Sequence, residues 1–97
     1  MINLNDRIFN VNYIHYIVIE GNECIVSTVD NTTVYKIVDP EINIPGLHKY
    51  GNILINLRKV IFADIEENVV VHFSDYRCIV IERQYLNQFK ADLLNKG

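Results

Sequence analysis

The feature that most constrains this chain is a pattern of turns that occurs twice. Phe9-Asn10-Val11 and Ile14-His15-Tyr16 lead into an acidic turn at Glu20-Gly21-Asn22, a Cys24-Ile25-Val26 strand and a turn at Asp30-Asn31. Ile55-Asn56-Leu57 and Val60-Ile61-Phe62 lead into an acidic turn at Glu66-Glu67-Asn68, a Val-rich strand and a turn at Ser74-Asp75. The spacing implies a repeat with a period of about 45 residues. Each copy reads as a meander, three strands in succession joined by short turns. A mostly antiparallel β fold is expected, with no parallel sheet and no long helix within residues 8–38.

Taken in order, Arg7–Val11 is a short candidate strand, and Tyr13–Glu20 is apolar or aromatic at almost every position, as a strand covered on both faces should be. Glu20-Gly21-Asn22-Glu23 supplies the residues a tight turn needs, and Cys24–Val29 pairs back across it. Thr32–Val38, rich in β-branched residues, completes the first meander over about 7–38. At Asp39-Pro40 the proline removes a donor and the aspartate can cap one turn of helix. A junction loop over 39–52 follows, then a second meander over about 53–82. From Arg83 the apolar period becomes helical, with Leu86, Phe89, Leu93 and Leu94 recurring at i, i+3, i+7 and i+8. The fold class is therefore mainly β, two antiparallel meander repeats with a C-terminal amphipathic helix over about 83–96, in one domain of 97 residues.

Charge narrows the function. The net charge of −3 is unevenly placed. Residues 1–47 carry two basic and six acidic side chains, and residues 48–97 carry seven basic and six acidic. An anion-binding face therefore belongs to the second half, although an acidic total is unusual for a nucleic-acid binder. No apolar run approaches a membrane span, and the N-terminus lacks the basic start and apolar block of a signal peptide, so a cytoplasmic protein is expected. Cys24 and Cys78 lie in apolar strands without metal-type spacing and read as buried small hydrophobes.

No catalytic or metal constellation assembles. The four glycines form no phosphate-cradling loop, and His15, His48 and His72 are isolated from one another in sequence. His15 reads as a core residue and His72 as the outward side of a half-buried strand. His48, beside Lys49 in the junction, is placed like a functional residue. A non-enzymatic protein without cofactor is expected.

At this junction the sequence resembles a known family. His48-Lys49 followed by Leu54-Ile55-Asn56-Leu57 and Val60 is similar to the H-R-S-Y-L-V-N-L-x-x-I signature of LytTR domains, the mostly-β DNA-binding domains of many bacterial response regulators. Ile14-His15-Tyr16-Ile17, Glu20-Gly21-Asn22 and Thr28-Val29-Asp30-Asn31 are similar to the segments that precede it. Val71-His72-Phe73-Ser74-Asp75 and Val80-Ile81-Glu82-Arg83-Gln84-Tyr85-Leu86 are similar to those that follow. The resemblance spans about residues 8–94 in consistent order. It departs at Lys49, which replaces an arginine, at the Gly51-Asn52 expansion and at the short Asp39-Pro40 turn.

The resemblance implies loops that enter the major groove, with contacts from Glu20–Glu23, from His48-Lys49 and from Arg83. A guanidinium can take a guanine edge or a phosphate in bidentate fashion, and a neighbouring Lys or His can anchor the backbone. The candidate DNA-binding set is His48, Lys49, Arg58, Lys59, Arg77 and Arg83. The expected partner is double-stranded DNA, bound by a stand-alone transcriptional regulator without a sensor domain, with a homodimer suited to adjacent half-sites. The alternative is a non-catalytic protein-interaction or structural accessory module of a phage or mobile element that keeps this shape without binding DNA.

Overall fold

The computed structural model describes residues 2–4, 7–28, 32–36 and 44–95. Its strands are β1 (Ile2–Leu4), β2 (Arg7–Phe9), β3 (Ile14–Glu20), β4 (Glu23–Thr28), β5 (Thr32–Lys36), β6 (His48–Tyr50), β7 (Ile53–Ile55), β8 (Val60–Ile65), β9 (Val69–Phe73) and β10 (Cys78–Ile81), followed by helix α1 (Leu86–Asn95). All pairings among the described strands are antiparallel, as the turn spacing predicts. The chain divides into two compact units, Met1–Asn56 and Leu57–Gly97.

In the first unit a five-stranded sheet runs in the order β5-β4-β3-β7-β6, and β1 pairs with β2 separately. β3 occupies the centre because its apolar residues serve both faces: Ile14, Ile17 and Ile19 are buried, and Tyr16 and Val18 are half-buried. Its turn into β4 sets Glu20 opposite Glu23, with Gly21 at φ +63°, a left-handed value that favours glycine. Ile14, Ile17, Ile19, Cys24, Val26, Ile44 and Leu54 pack as one core cluster. His15 is fully buried, as its strand suggests.

Three expectations are corrected here. The candidate strand Arg7–Val11 stops at Phe9, because the Asn10 side chain accepts a hydrogen bond from the Asn12 N–H (3.0 Å) and caps a 3-10 turn over Val11–Tyr13. Residues 48–50, expected in the junction loop, form β6. Residues 53–55, expected to open the second meander, form β7 and pair with β3 in the first sheet. The cause is the Gly51-Asn52 turn. Gly51, at φ +65°, folds β6 back on β7, and Asn52 docks on β3, accepting from the Ile19 N–H (2.8 Å) and donating Nδ2–H to the Ile19 carbonyl (3.0 Å). The Asp39-Pro40 turn lies outside the described residues.

The second unit holds the sheet β10-β9-β8 and α1. Val69, Val71 and Phe73 are buried on one face of β9, while Val70 and His72 on the other are half-buried, the alternation expected of a strand. A 3-10 turn over Arg83–Tyr85 leads into α1. Ten helical residues are marginal alone in water, so docking through a buried side chain must hold α1, and Phe89 is 1% exposed. Leu86 and Leu93 are half-buried beside it, but Leu94 is 85% exposed and does not join that face. Cys24 is buried as expected. Cys78 is exposed because its register partner is His72, on the outer face of the sheet.

The repeat is closer in structure than in sequence. The 3-10 turns begin at Val11 and Leu57, the first long strands at Ile14 and Val60, the second at Glu23 and Val69, and the third at Thr32 and Cys78, each pair 46 residues apart. Both first strands also carry a register shift two residues long at the same point, Ile14/Tyr16 in β3 and Val60/Phe62 in β8.

Candidate nucleic-acid interface

His48 and Lys49 sit on β6, the edge of the five-stranded sheet, and both are half-buried. Successive strand residues project to opposite faces. His48 is paired with Ile55 and Lys49 with Leu54, so the two side chains project to opposite faces of the sheet. Lys49 shares a face of the sheet with Leu54, which is fully buried. At the C-terminal end of β3, the turn from Glu20 to Glu23 is wholly exposed and presents two carboxylates in register. That turn repels phosphate instead of attracting it.

Within the stretch that resembles the family signature, Asn56 has a role that the sequence did not reveal. It is 2% exposed. Its Nδ2 donates to the Val11 carbonyl (3.1 Å) and the Ile14 carbonyl (3.0 Å), and its backbone N–H donates to the His15 carbonyl (3.0 Å). One side chain thus closes the end of β7 onto the entry of β3. An aspartate could not replace it, because the position requires two donated hydrogens.

In the second unit, Arg58 is exposed and Lys59 half-buried on the 3-10 turn Leu57–Lys59, directly before β8. Arg77 is half-buried and follows the 3-10 turn Ser74–Tyr76, and its carbonyl accepts from the Phe73 N–H (2.8 Å). Arg83 is exposed on the turn before α1, where its guanidinium donates to the Glu66 carbonyl and so ties that turn to the β8–β9 connection. These four belong to the second unit, and His48 and Lys49 to the first.

The sequence also missed an aromatic and apolar group in the second unit. Tyr76, at φ +63°, is the one described residue other than glycine with a positive φ, and it is fully exposed. Ile61 (63% exposed), Phe62 (52%) and Tyr76 line a shallow depression with His72, Phe73 and Ser74. Phe62 stacks on His72 with ring centroids 4.3 Å apart, and His72 Nε2 lies 3.0 Å from the Asp64 carboxylate. The only advance signal was the run Val60-Ile61-Phe62, whose three consecutive apolar residues cannot all face a core on a strand. Among the described residues, no group of three His, Cys, Asp or Glu is arranged to hold a metal, and no helix is long and apolar enough to cross a membrane.

No protein-family model and no curated protein matches this sequence. The structure, however, matches the LytTr DNA-binding domain assigned to a methyl-accepting/DNA response regulator from Bacillus cereus, with a TM-score of 0.66. The likeness covers 87% of this chain and 83% of that one at 12% identity. The chain thus has the fold of a LytTr DNA-binding domain, antiparallel sheets with a C-terminal helix, as the order of its sequence motifs implied.

Proposed function

We propose that the protein binds double-stranded DNA as a non-catalytic transcriptional regulator. The observation that carries this reading is the agreement in fold, over 87% of the chain, with a domain described as DNA-binding. The contacts assigned are His48 and Lys49 from the first unit and Arg58, Lys59, Arg77 and Arg83 from the second. Seven of the nine basic residues lie in 48–97, so the acidic total does not describe that half of the chain. Arg83, beside the helix entry, reads base edges, and Lys49 anchors phosphate.

Fluorescence anisotropy against random and genomic duplexes tests this reading. With roughly three to five phosphates neutralised, log K falls against log salt with a slope of about −3 to −4.5. Affinity from one copy is then modest, and specific recognition at physiological salt calls for two copies on adjacent half-sites. Lys49→Ala weakens all duplexes alike, whereas Arg83→Ala removes sequence preference. Because Arg83 also holds the Glu66 carbonyl, circular dichroism must first show that the variant is folded. Absence of binding at low salt, where non-specific attraction is strongest, would overturn the proposal. A protein-interaction role is the second reading, favoured by the exposure of Ile61, Phe62, Tyr76 and Val80 on the second unit.

A further inference from the structure

The 46-residue correspondence exposes a difference between the two units. In the first, β3 has a neighbour on each side: β4 on one, and β7 on the other, where it meets Tyr16, Ile17 and Val18. The counterparts of those three residues in β8 are Phe62, Ala63 and Asp64. Among the described strands β8 has a single neighbour, β9, so no described strand pairs with this edge where β7 fills the equivalent edge of β3.

This edge of β8 carries little of what usually shields one. Natural edges are blunted by lysines, prolines or a covering element. Within β8, however, Ile61, Phe62 and Ile65 are 63%, 52% and 49% exposed. Asp64 is the sole charge in the strand, and its carboxylate is turned across the sheet to His72. The register shift lies between Val60 and Phe62, leaving Phe62–Ile65 in regular register with β9.

We propose that β8 pairs antiparallel with β8 of a second copy of this chain, so that two three-stranded sheets become one across a two-fold axis. The axis passes at Ala63, the position equivalent to the middle of the β3–β7 ladder. Antiparallel pairing about Ala63 sets Ile61 against Ile65 of the other copy, in both directions. It also brings the basic end of β8, where Arg58 and Lys59 lie on the 3-10 turn, towards the acidic turn of the other copy, which carries Glu66 and Glu67. The strand is thus bounded by cations at one end and carboxylates at the other, and only an antiparallel partner with the same order satisfies both ends. That charge order selects a second copy over an unrelated strand. The contact is isologous and closes at two chains. It does not depend on DNA binding.

Sedimentation equilibrium of the full chain without DNA, from micromolar to millimolar concentration, is the test. The wild type should show a monomer–dimer equilibrium. Lys59→Glu and Glu67→Lys each place like charges together at both symmetric contacts, and each should weaken the dimer by about tenfold or more. The double variant K59E/E67K exchanges the ends and should recover most of the wild-type association. Far-UV circular dichroism checks that all three variants keep the fold. A wild type that is monomeric throughout, single variants that dimerise unchanged, or a double variant no better than the singles would each overturn the proposal.

Discussion

Replacing Asn56 tests whether one buried amide fastens the first sheet. The Asn56 Nδ2 donates to the Ile14 carbonyl, which is buried, and to the Val11 carbonyl, which is partly buried. Each hydrogen bond contributes about 1 kcal/mol net, and a buried acceptor left without a donor costs about 1–3 kcal/mol. Water can reach the Val11 carbonyl more easily than the Ile14 carbonyl, so Asn56→Ala should cost about 2–4 kcal/mol. That is a large share of the roughly 5–15 kcal/mol available to a domain of this kind. Asn56→Asp keeps the shape but replaces the donor with a carboxylate facing two carbonyl oxygens. At neutral pH it should be worse than alanine, about 3–5 kcal/mol, because the charge is buried without a partner cation. Urea unfolding followed by far-UV circular dichroism measures both. With a denaturant slope of about 2 kcal/mol/M, the middle of the usual range, the alanine variant should lose roughly 1–2 M from its midpoint. An alanine variant within about 0.5 kcal/mol of the parent, the ordinary range for a surface substitution, would refute the argument. So would an aspartate variant more stable than the alanine one.

Two further predictions concern the second unit. Phe89→Ala empties the buried position of α1 and should cost about 3–5 kcal/mol; an unchanged denaturation midpoint would mean that the helix is not held by this side chain. Tyr76 stands exposed at φ +63°, where a side chain is strained by about 1–2 kcal/mol, so Tyr76→Gly should relieve that strain less the entropy cost of glycine, a net gain of up to about 1 kcal/mol. Tyr76→Ala should gain nothing, and equal midpoints for the two variants would show that the backbone there is not strained.

The parts of this fold that follow from local chemistry could be read in the sequence. The Glu20–Glu23 turn announces itself through Gly21, the central strand through its unbroken apolar run, and the helix through Leu86, Phe89 and Leu93. The fate of residues 48–55 could not be read, because it depends on a long-range ladder. Nothing local in Ile53-Leu54-Ile55 says whether it pairs forward with β8 or backward with β3. The Gly51-Asn52 pair was a usable signal, being suited to a two-residue hairpin turn. For the site, residue types were legible but directions were not. His48 and Lys49 are adjacent in sequence and therefore opposed on a strand, a conclusion that needs the strand itself. Arg83 could be recognised as a cation but not as the donor to the Glu66 carbonyl. Asn56 stood inside the stretch that resembles the family signature, yet three of its hydrogen bonds reach back more than 40 residues.

The strand order of the first sheet carries a consequence for the path by which the chain reaches its fold. The second sheet is built solely from neighbours in sequence, β8 with β9 and β9 with β10. In the first sheet β7 must find β3 after β4 and β5 have intervened, with Ile53 opposite Val18. Closing so long a loop forfeits chain entropy before any contact repays it, so contacts distant in sequence form slowly. The sheet with the most buried centre is therefore the later to be completed. Pulsed hydrogen exchange during refolding can read the order residue by residue. The β8–β9 ladder should gain protection first, and the amides of Ile19 and Asn56, which donate to Asn52 and His15 across the late closure, should follow. Protection of those two amides ahead of the β8–β9 ladder would show that folding begins from the long-range contact.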